Sequence, residues 1–196
     1  MSKHNLGPYP RFTSEELDYL SSRFLLGKYV VDVVRFDDNH YLVTDIDGVK
    51  WIVRRTSYVL LRCDSIFGPL LSCHQEPREY EWFSKTLREG STFVDVGANV
   101  GGYSVRACNM GARLIAVEPD PDNYRVLKLN LRLNHCYDAC VLNIAAGMSE
   151  EVCELYYGIS GNPAGYSLLH ARSSEKVRCS VEVKALDVAI PPLLSE

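Results

Sequence analysis

The sequence predicts an α/β protein built on a parallel sheet, and three observations support that prediction. A short apolar run, Phe93–Val96, ends in a glycine-rich stretch that leads into a helix-compatible segment, as at the start of a βαβ unit. A second apolar run, Leu114–Val117, follows after one helix length. Glu118 closes that run about 20 residues after Gly97, where a doubly wound sheet places the carboxylate that binds a ribose diol. We therefore predict a doubly wound domain with a nucleoside site at its strand ends.

The glycine-rich loop decides between two nucleoside cofactors. Small residues let a ligand approach the backbone, and the helix start offers unpaired N–H groups. A dinucleotide-binding loop has a glycine where this chain has Asn99, and that glycine makes room for the pyrophosphate. S-adenosylmethionine has no phosphate, and Asp95 and Asn99 can pair with its ammonium and carboxylate groups. The loop therefore favours S-adenosylmethionine, with NAD as the competing cofactor.

Three motifs together resemble a known family. They are Asp95-x-Gly97-Ala98-Asn99-x-Gly101-Gly102-Tyr103-Ser104, Val117-Glu118-Pro119-x-Pro121 and Asn130-x3-Asn134. This pattern is similar to the FkbM family of S-adenosylmethionine-dependent methyltransferases, and a weaker similarity extends from Glu76 to Asp187. The resemblance implies a Rossmann-like class I methyltransferase sheet and S-adenosyl-L-methionine as the cofactor.

The loop and the resemblance together predict the cofactor-binding residues. Pro119 is expected beneath the adenine, with Asn143 or Ala145 at its edge. Glu76 and Tyr80 are candidates for the methionine end, against the alternative that their helix only packs on the sheet. No metal ligand is predicted, and the sequence names no catalytic residue. The predicted cofactor-binding residues are Glu76, Asp95, Gly97, Ala98, Asn99, Gly101, Tyr103, Glu118, Pro119, Asn143 and Ala145.

The composition limits the cellular location and the binding partners that we expect for this protein. The formal net charge of the 196 residues is −4. Neither half of the sequence has an excess of basic residues that would bind nucleic acid. No apolar stretch has the length of a membrane span, and the first residues lack the apolar segment of a signal peptide. Seven cysteines contain no C-x-x-C pair, which predicts reduced thiols in a cytoplasmic protein without zinc.

Two regions are predicted along the chain. Residues 1–75 are expected to form a helix beginning at Thr13 and a small antiparallel β-meander that caps the cofactor domain, residues 76–196. The aspartates of the segment 45–48 are predicted to form a turn and not a calcium loop, because the closing glutamate is absent. A helix is predicted over 76–88, and a loop over 158–165 lies either near the substrate mouth or on the surface.

The predicted sheet is incomplete at the C-terminal side. In the resembling family, strand Phe93–Val96 would be central, yet here only the strand Arg113–Val117 is available as a neighbour, and the later strands of a class I sheet are absent. An unpaired strand edge invites pairing with another chain. We favour the interpretation that the sequence is part of a longer protein. The alternatives are a homo-oligomer that covers the edge, and a terminal strand of this chain that fills it.

These expectations lead to three hypotheses on function. The first is an S-adenosylmethionine-dependent methyltransferase that O-methylates a hydroxyl of a small molecule or sugar. The second is a tRNA or other RNA methyltransferase, because archaeal-type tRNA methyltransferases share the glutamate-x-proline helix with paired asparagines. The third is a non-catalytic S-adenosylmethionine-binding protein, since the strand that would carry catalytic residues is missing. The sequence does not specify the acceptor.

Overall fold

The structure, a computed structural model, describes residues 30–54, 77–156, 168 and 177–194. The chain divides into two compact units, Met1–Ile66 and Phe67–Glu196. The helix predicted from Thr13, the loop predicted over 158–165 and the candidate Glu76 lie outside the described residues. No helix in the described part is both long and apolar enough to cross a membrane.

The first unit contains the predicted antiparallel meander. Its strands β1 (Val30–Arg35), β2 (His40–Asp45) and β3 (Lys50–Arg54) pair in the order β1-β2-β3. Alternate side chains of a strand lie on one face, and this face buries residues that also pair across the strands: Val33 opposite Val43, and Val43 opposite Trp51.

In the turn after β2, hydrogen-bond donors of the protein itself bind the carboxylate of Asp45. The Asp45 carboxylate is 1% exposed and accepts hydrogen bonds from the backbone N–H groups of Asp47 and Val49, both at 2.9 Å. The indole N–H of Trp51 donates to the same carboxylate at 3.1 Å. Within the described ranges no cluster of His, Cys, Asp and Glu could hold a metal ion. The turn predicted at this position is confirmed.

The second unit contains a parallel sheet with the strand order β4-β5-β6, which confirms the predicted α/β class. Each strand is joined to the next through a helix, and a further helix precedes the first strand. In chain order the elements are α1 (Pro77–Thr86), β4 (Thr92–Val96), α2 (Gly102–Asn109), β5 (Arg113–Val117), α3 (Pro121–Leu133) and β6 (Cys140–Leu142).

Helix α3 begins as its sequence predicts. Oδ1 of Asp120 accepts hydrogen bonds from the backbone N–H groups of Asp122 and Asn123, at 3.0 and 2.9 Å, and Pro121 takes the first helical position, where no N–H is needed. Leu127 and Leu131 are buried on the inner face of the helix.

Helix α1 packs on the sheet through aromatic side chains. The ring of Phe83 meets the rings of Phe93 and Tyr103 edge-on, with centroids 5.2 and 5.3 Å apart. Phe83 is 4% exposed and also packs with Ala107 and Ala112. This cluster fixes α1 against β4 and α2.

The apolar composition of residues 139–146 predicts a third strand of the parallel sheet, and this prediction is wrong as a single element. Only Cys140–Leu142 joins the parallel sheet, while β7 (Ala145–Ala146) pairs with a different strand. The chain changes sheet at Asn143, whose side chain is bound to the turn after β5, and Ala145 is buried in a separate apolar core. The second sheet has the order β7-β9-β8, with β8 at Glu151–Tyr156 and β9 at Val177–Lys184; the short helices α4 (Leu186–Ala189) and α5 (Pro191–Leu194) follow.

Strand β4 lies at the edge of the parallel sheet. Among the described residues it pairs with β5 alone. Val94 and Val96 are 37% and 51% exposed. The one-sided pairing predicted for this strand is therefore present in the described part of the chain.

The prediction that all cysteines are reduced is wrong. Cys108, near the end of α2, forms a disulfide with Cys136, which follows α3, across a sequence separation of 28 residues. The two Cα atoms lie 6.0 Å apart because the helices bring their C-terminal ends together. No local spacing in the sequence signals this pair.

Candidate functional site

The three parallel strands end level with one another. Val96 pairs in register with Val117, which in turn pairs with Leu142. The backbone continues this alignment by one residue, because the N–H of Gly97 donates to the carbonyl of Val117 at 2.8 Å and the N–H of Glu118 to that of Leu142 at 3.0 Å. The segments beginning at Gly97, Glu118 and Asn143 therefore meet at one edge, where open parallel sheets bind ligands.

Glu118 is held in place at the centre of this edge. Its side chain is buried, with 4% of the residue exposed. Oε2 accepts a hydrogen bond from the backbone N–H of Asn99 at 2.7 Å, and Oε1 accepts one from the backbone N–H of Asp120 at 2.9 Å. The side chain of Asn123 also hydrogen-bonds to this carboxylate. The carboxylate thus joins the glycine-rich loop to the start of α3.

The pKa of the Glu118 carboxyl lies near neutral pH. Burial raises the pKa of its carboxyl to about 7, against the lowering effect of the hydrogen bonds from Asp120 and Asn99. The negative charge of Asp120 adds to the increase of the pKa. A ligand that donates hydrogen bonds to the carboxylate stabilises its ionised form and lowers this pKa.

Asp95 provides a second carboxylate one strand away. Oδ2 of Asp95 accepts a hydrogen bond from the hydroxyl of Ser104 at 2.5 Å, and Ser104 is completely buried at the start of α2. Burial raises the pKa of the Asp95 carboxyl, while the Ser104 hydrogen bonds lower it. Ser104 was part of the sequence motif but had no predicted role; it lies in the first turn of α2, directly after the glycine-rich loop.

The two key glycines of the loop serve different purposes. Gly97 and Gly101 have φ values of +79° and +98°, a region that side-chain-bearing residues rarely adopt. A Cβ at Gly97 would enter open space, whereas a Cβ at Gly101 would lie 2.7 Å from Cδ1 of Leu127. Asn99, at φ 52°, also lies in the left-handed region, which asparagine tolerates better than most residues. Gly97 therefore leaves room for a ligand, and Gly101 lets α2 and α3 pack.

The paired asparagines support the loop from behind. Asn130 is fully buried in α3, and its side-chain amide donates to the carbonyl of Val100 at 2.8 Å. The side chain of Asn134 donates to the carbonyl of Asn130, also at 2.8 Å. Asn130 thus fixes the glycine-rich loop against α3, a role that the sequence motif signals but that we had not predicted.

Most of the predicted cofactor-binding residues lie at the strand ends. The side-chain amide of Asn143 donates to the carbonyls of Glu118 and Pro119, at 2.8 and 3.0 Å, and closes the β6 side of the edge. Eight of the predicted residues are brought together around these strand ends: Asp95, Gly97, Ala98, Asn99, Gly101, Glu118, Pro119 and Asn143. Their binding of a cofactor stays a prediction.

Other predicted residues are engaged elsewhere. The ring of Tyr103 packs against Phe83 in the aromatic cluster. Ala145 is 3% exposed and lies in the core of the second sheet. The ring of Tyr80 lies beneath the guanidinium of Arg106, at 5.4 Å from the ring centroid. For these three, the structure shows packing roles.

Residues 95–192 match the family model described as the methyltransferase FkbM domain. That span is half of the chain. The chain belongs to the FkbM methyltransferase family. Its members depend on S-adenosylmethionine, and S-adenosyl-L-methionine is the cofactor.

The similarities to individual proteins cover only part of each chain. The chain is 37% identical over 60 residues to the ribosomal protein L11 methyltransferase of Anoxybacillus flavithermus, an alignment covering 30% of this chain and 19% of that protein. Two crystal structures from Pyrococcus horikoshii, a transferase and TYW2 in complex with MeSAdo, each align over 56% of this chain and 37% of theirs, with 20% identity and a TM-score of 0.39. The chain thus spans well under half of the length of each of these proteins.

The strand-end edge fits the cofactor of the FkbM family. A carboxylate offers about four acceptor positions, and three protein donors reach Glu118, so about one position is left for a ribose hydroxyl. A Cβ at Gly97 would meet no atom within 4 Å, so the loop has open space at this position. Asn99 stands where a dinucleotide-binding loop has the glycine that lets the pyrophosphate approach the backbone, in keeping with a ligand that lacks phosphate.

Proposed function

We propose that this chain binds S-adenosyl-L-methionine on a class I, Rossmann-like sheet and transfers its methyl group to a hydroxyl of a small molecule or sugar. One observation carries this proposal more than any other. It is the buried Glu118 carboxylate, bound at once by the Asn99 N–H of the glycine-rich loop and by the Asp120 N–H of its own turn.

Each part of the cofactor has a matching group at the strand ends. Glu118 accepts a hydrogen bond from the ribose, and Gly97 lets the sugar approach the backbone. Pro119 and Asn143 border the adenine, since they follow the carboxyl ends of the neighbouring strands β5 and β6. Asp95 and Asn99 pair with the ammonium and carboxylate of the methionine part, because an ionised carboxylate is a strong acceptor for an ammonium group.

The cofactor, when bound, supplies an electrophilic methyl group on its sulfonium sulfur. The chain's contribution would be to hold the adenosine and methionine ends, and so to position the cofactor for reaction with the acceptor. Such positioning accounts for much of the rate of a displacement reaction. The buried hydrogen bond between Asp95 and Ser104 keeps the methionine end of the site rigid.

The proposed acceptor is a neutral hydroxyl compound. The net charge of −4 gives the chain no broad attraction for a polyanion. An RNA acceptor is the alternative that the experiment must separate from a small molecule or sugar.

Methyl transfer from tritium-labelled S-adenosyl-L-methionine tests the proposal. The protein is incubated with separate pools of sugars, hydroxylated small molecules and bulk tRNA, with the variant Glu118→Gln as the control for site-dependent transfer. We expect label in the sugar or small-molecule pool, and much less label with the variant. Label in tRNA would contradict the proposed acceptor, and cofactor binding without label in any pool would favour a non-catalytic binding protein.

A further inference from the structure

An arginine on the second sheet is bound to the turn that follows Glu118. Arg178 lies in β9, and its Nε donates to Oδ2 of Asp120 at 2.9 Å. Its Nη2 donates to Oδ2 of Asp122. The side chain of Asp120 is fully buried, and that of Arg178 is 21% exposed. One guanidinium therefore forms ion pairs with two carboxylates at the start of α3.

Asp120 connects this ion pair to Glu118. While Oδ2 of Asp120 binds Arg178, Oδ1 caps helix α3, and the backbone N–H of Asp120 donates to Oε1 of Glu118 at 2.9 Å. A continuous series of hydrogen bonds thus runs from Arg178 through Asp120 and Glu118 to Asn99 in the glycine-rich loop. Fixing Asp120 fixes the Oε1 side of the Glu118 carboxylate.

The ion pair also has an electrostatic effect at the site. Asp120 is a buried negative charge beside Glu118 and raises the pKa of that carboxyl. Leaving a buried charge without its partner is costly, so without Arg178 the turn would shift or Asp120 would bind a proton. Either change alters the acceptor that Glu118 presents.

We propose that Arg178 is a positioning residue for cofactor binding, which acts through Asp120 to hold the Glu118 carboxylate toward the ribose. This inference rests on the proposed function of Glu118. It gives the second sheet a role in the site, because Arg178 lies in β9 and its partner Asp120 contacts Glu118.

The position of Arg178 outside the apolar core distinguishes its positioning role from a contribution to folding alone. The core of the second sheet consists of buried apolar residues and does not include Arg178; its members are Ala145, Leu155, Val181 and Val183. A matched control is also available, because the exposed Arg125 forms an ion pair with the same Asp122, through Oδ1 at 3.1 Å. In the part of the chain that the structure describes, the hydrogen bond of Arg125 goes to Asp122 and to neither Asp120 nor Glu118.

The test is the dissociation constant of S-adenosylhomocysteine, measured by calorimetry for the variants Arg178→Gln, Arg178→Lys and Arg125→Gln. We expect Arg178→Gln to weaken binding roughly five- to fiftyfold, the usual range for a coupled network. Arg178→Lys should recover part of this loss, because lysine keeps the charge but lacks the planar fork. Arg125→Gln should bind like the parent. If Arg178→Gln does not fold, Arg178→Lys alone still serves, and parental affinity for it would overturn the proposal.

A double substitution shows whether Arg178 acts through Glu118. In the Glu118→Gln background, adding Arg178→Gln should weaken binding by less than about twofold, since the acceptor is already altered. A full multiplicative loss would overturn the positioning role. If Glu118→Gln alone binds like the parent, the ribose assignment itself fails. If Glu118→Gln weakens the binding of S-adenosylhomocysteine while Arg178→Gln binds it like the parent, only the role of Arg178 is contradicted.

Discussion

The backbone N–H of Asn99 donates to Oε2 of Glu118 across 2.7 Å. Nineteen positions separate the two residues in sequence, and the bond joins the end of β4 to the end of β5. Since the other carboxylate oxygen is bound by Asp120, Glu118 has one orientation in the absence of ligand. A preoriented acceptor lowers the free-energy cost of ordering the site when a ligand binds.

Replacing Glu118 should weaken cofactor binding without destroying the fold. We expect Glu118→Ala to raise the free energy of S-adenosylhomocysteine binding by about 1–3 kcal/mol, because a buried ligand hydroxyl loses its acceptor. Calorimetry measures this change. Glu150→Ala, at an exposed position, is the control, and equal affinities for the two variants would show that the ribose lies elsewhere.

Binding of a nucleoside should strengthen as the pH rises through the pKa of Glu118. The probe is 5′-methylthioadenosine, which has no ammonium or carboxylate of its own. Since the pKa of Glu118 is about 7 and the ionised form accepts the ribose hydrogen bond, we expect affinity to fall about tenfold between about pH 8 and about pH 6. The charged groups beside Glu118 are Asp120 and, behind it, Arg178. Glu118→Gln should remove the dependence; a parent protein with a flat profile would contradict the assignment.

The same pKa predicts how Glu118 affects stability. In the folded protein the pKa is above its ordinary value of 4.5, so the folded chain binds more protons than the unfolded chain between about 4.5 and about 7. The contribution of Glu118 therefore becomes less favourable as the pH rises through that window, by on the order of 3 kcal/mol. Denaturant unfolding of the parent and Glu118→Gln at about pH 5 and about pH 8 measures it. An advantage of the variant that does not grow with pH would contradict the raised pKa.

Three glycine substitutions distinguish the effect of an added Cβ on ligand binding from its effect on the stability of the backbone. Gly97 and Gly90 have nearly the same φ, 79° and 77°, and a Cβ at either would meet no atom within 4 Å. Gly97→Ala and Gly90→Ala should thus lose similar stability, about 1–2 kcal/mol, and Gly97→Ala alone should weaken S-adenosylhomocysteine binding. Gly101→Ala should lose more stability than either, because its Cβ would collide with Leu127. Equal binding by Gly97→Ala and Gly90→Ala would place the ligand away from the loop.

The disulfide between Cys108 and Cys136 should stabilise the paired helices. Closing a loop across 28 residues contributes about 2–4 kcal/mol by restricting the unfolded chain. We expect Cys108→Ser to lower the free energy of unfolding by that amount, and a dithiol reductant to lower it equally in the parent. Cys108→Ser should not respond to the reductant; a parent protein that also does not respond would show that the thiols are unpaired in solution.

Local signals in the sequence predicted the parallel sheet well. The strand Arg113–Val117 occurs at the predicted position, because an apolar run is a signal that acts over a few residues. The loop glycines and Glu118 were likewise placed correctly at adjacent strand ends.

Features that depend on tertiary contacts were missed. The change of sheet at Asn143 and the disulfide between Cys108 and Cys136 join segments far apart in sequence, so no local pattern signals them. The packing of the Tyr103 ring on Phe83 also had no local signal; the contact of Tyr103 with the cofactor stays a prediction. The ion pair of Arg178 with Asp120 spans 58 positions and had no signal of its own.

The most direct test is a crystal structure of the protein with S-adenosylhomocysteine. We expect the adenosine to lie across the ends of β4 and β5, with at least one ribose hydroxyl within about 3 Å of a Glu118 carboxylate oxygen. A bound adenosine whose sugar points away from Glu118, or a glycine-rich loop that stays empty at saturating ligand, would contradict the proposed site.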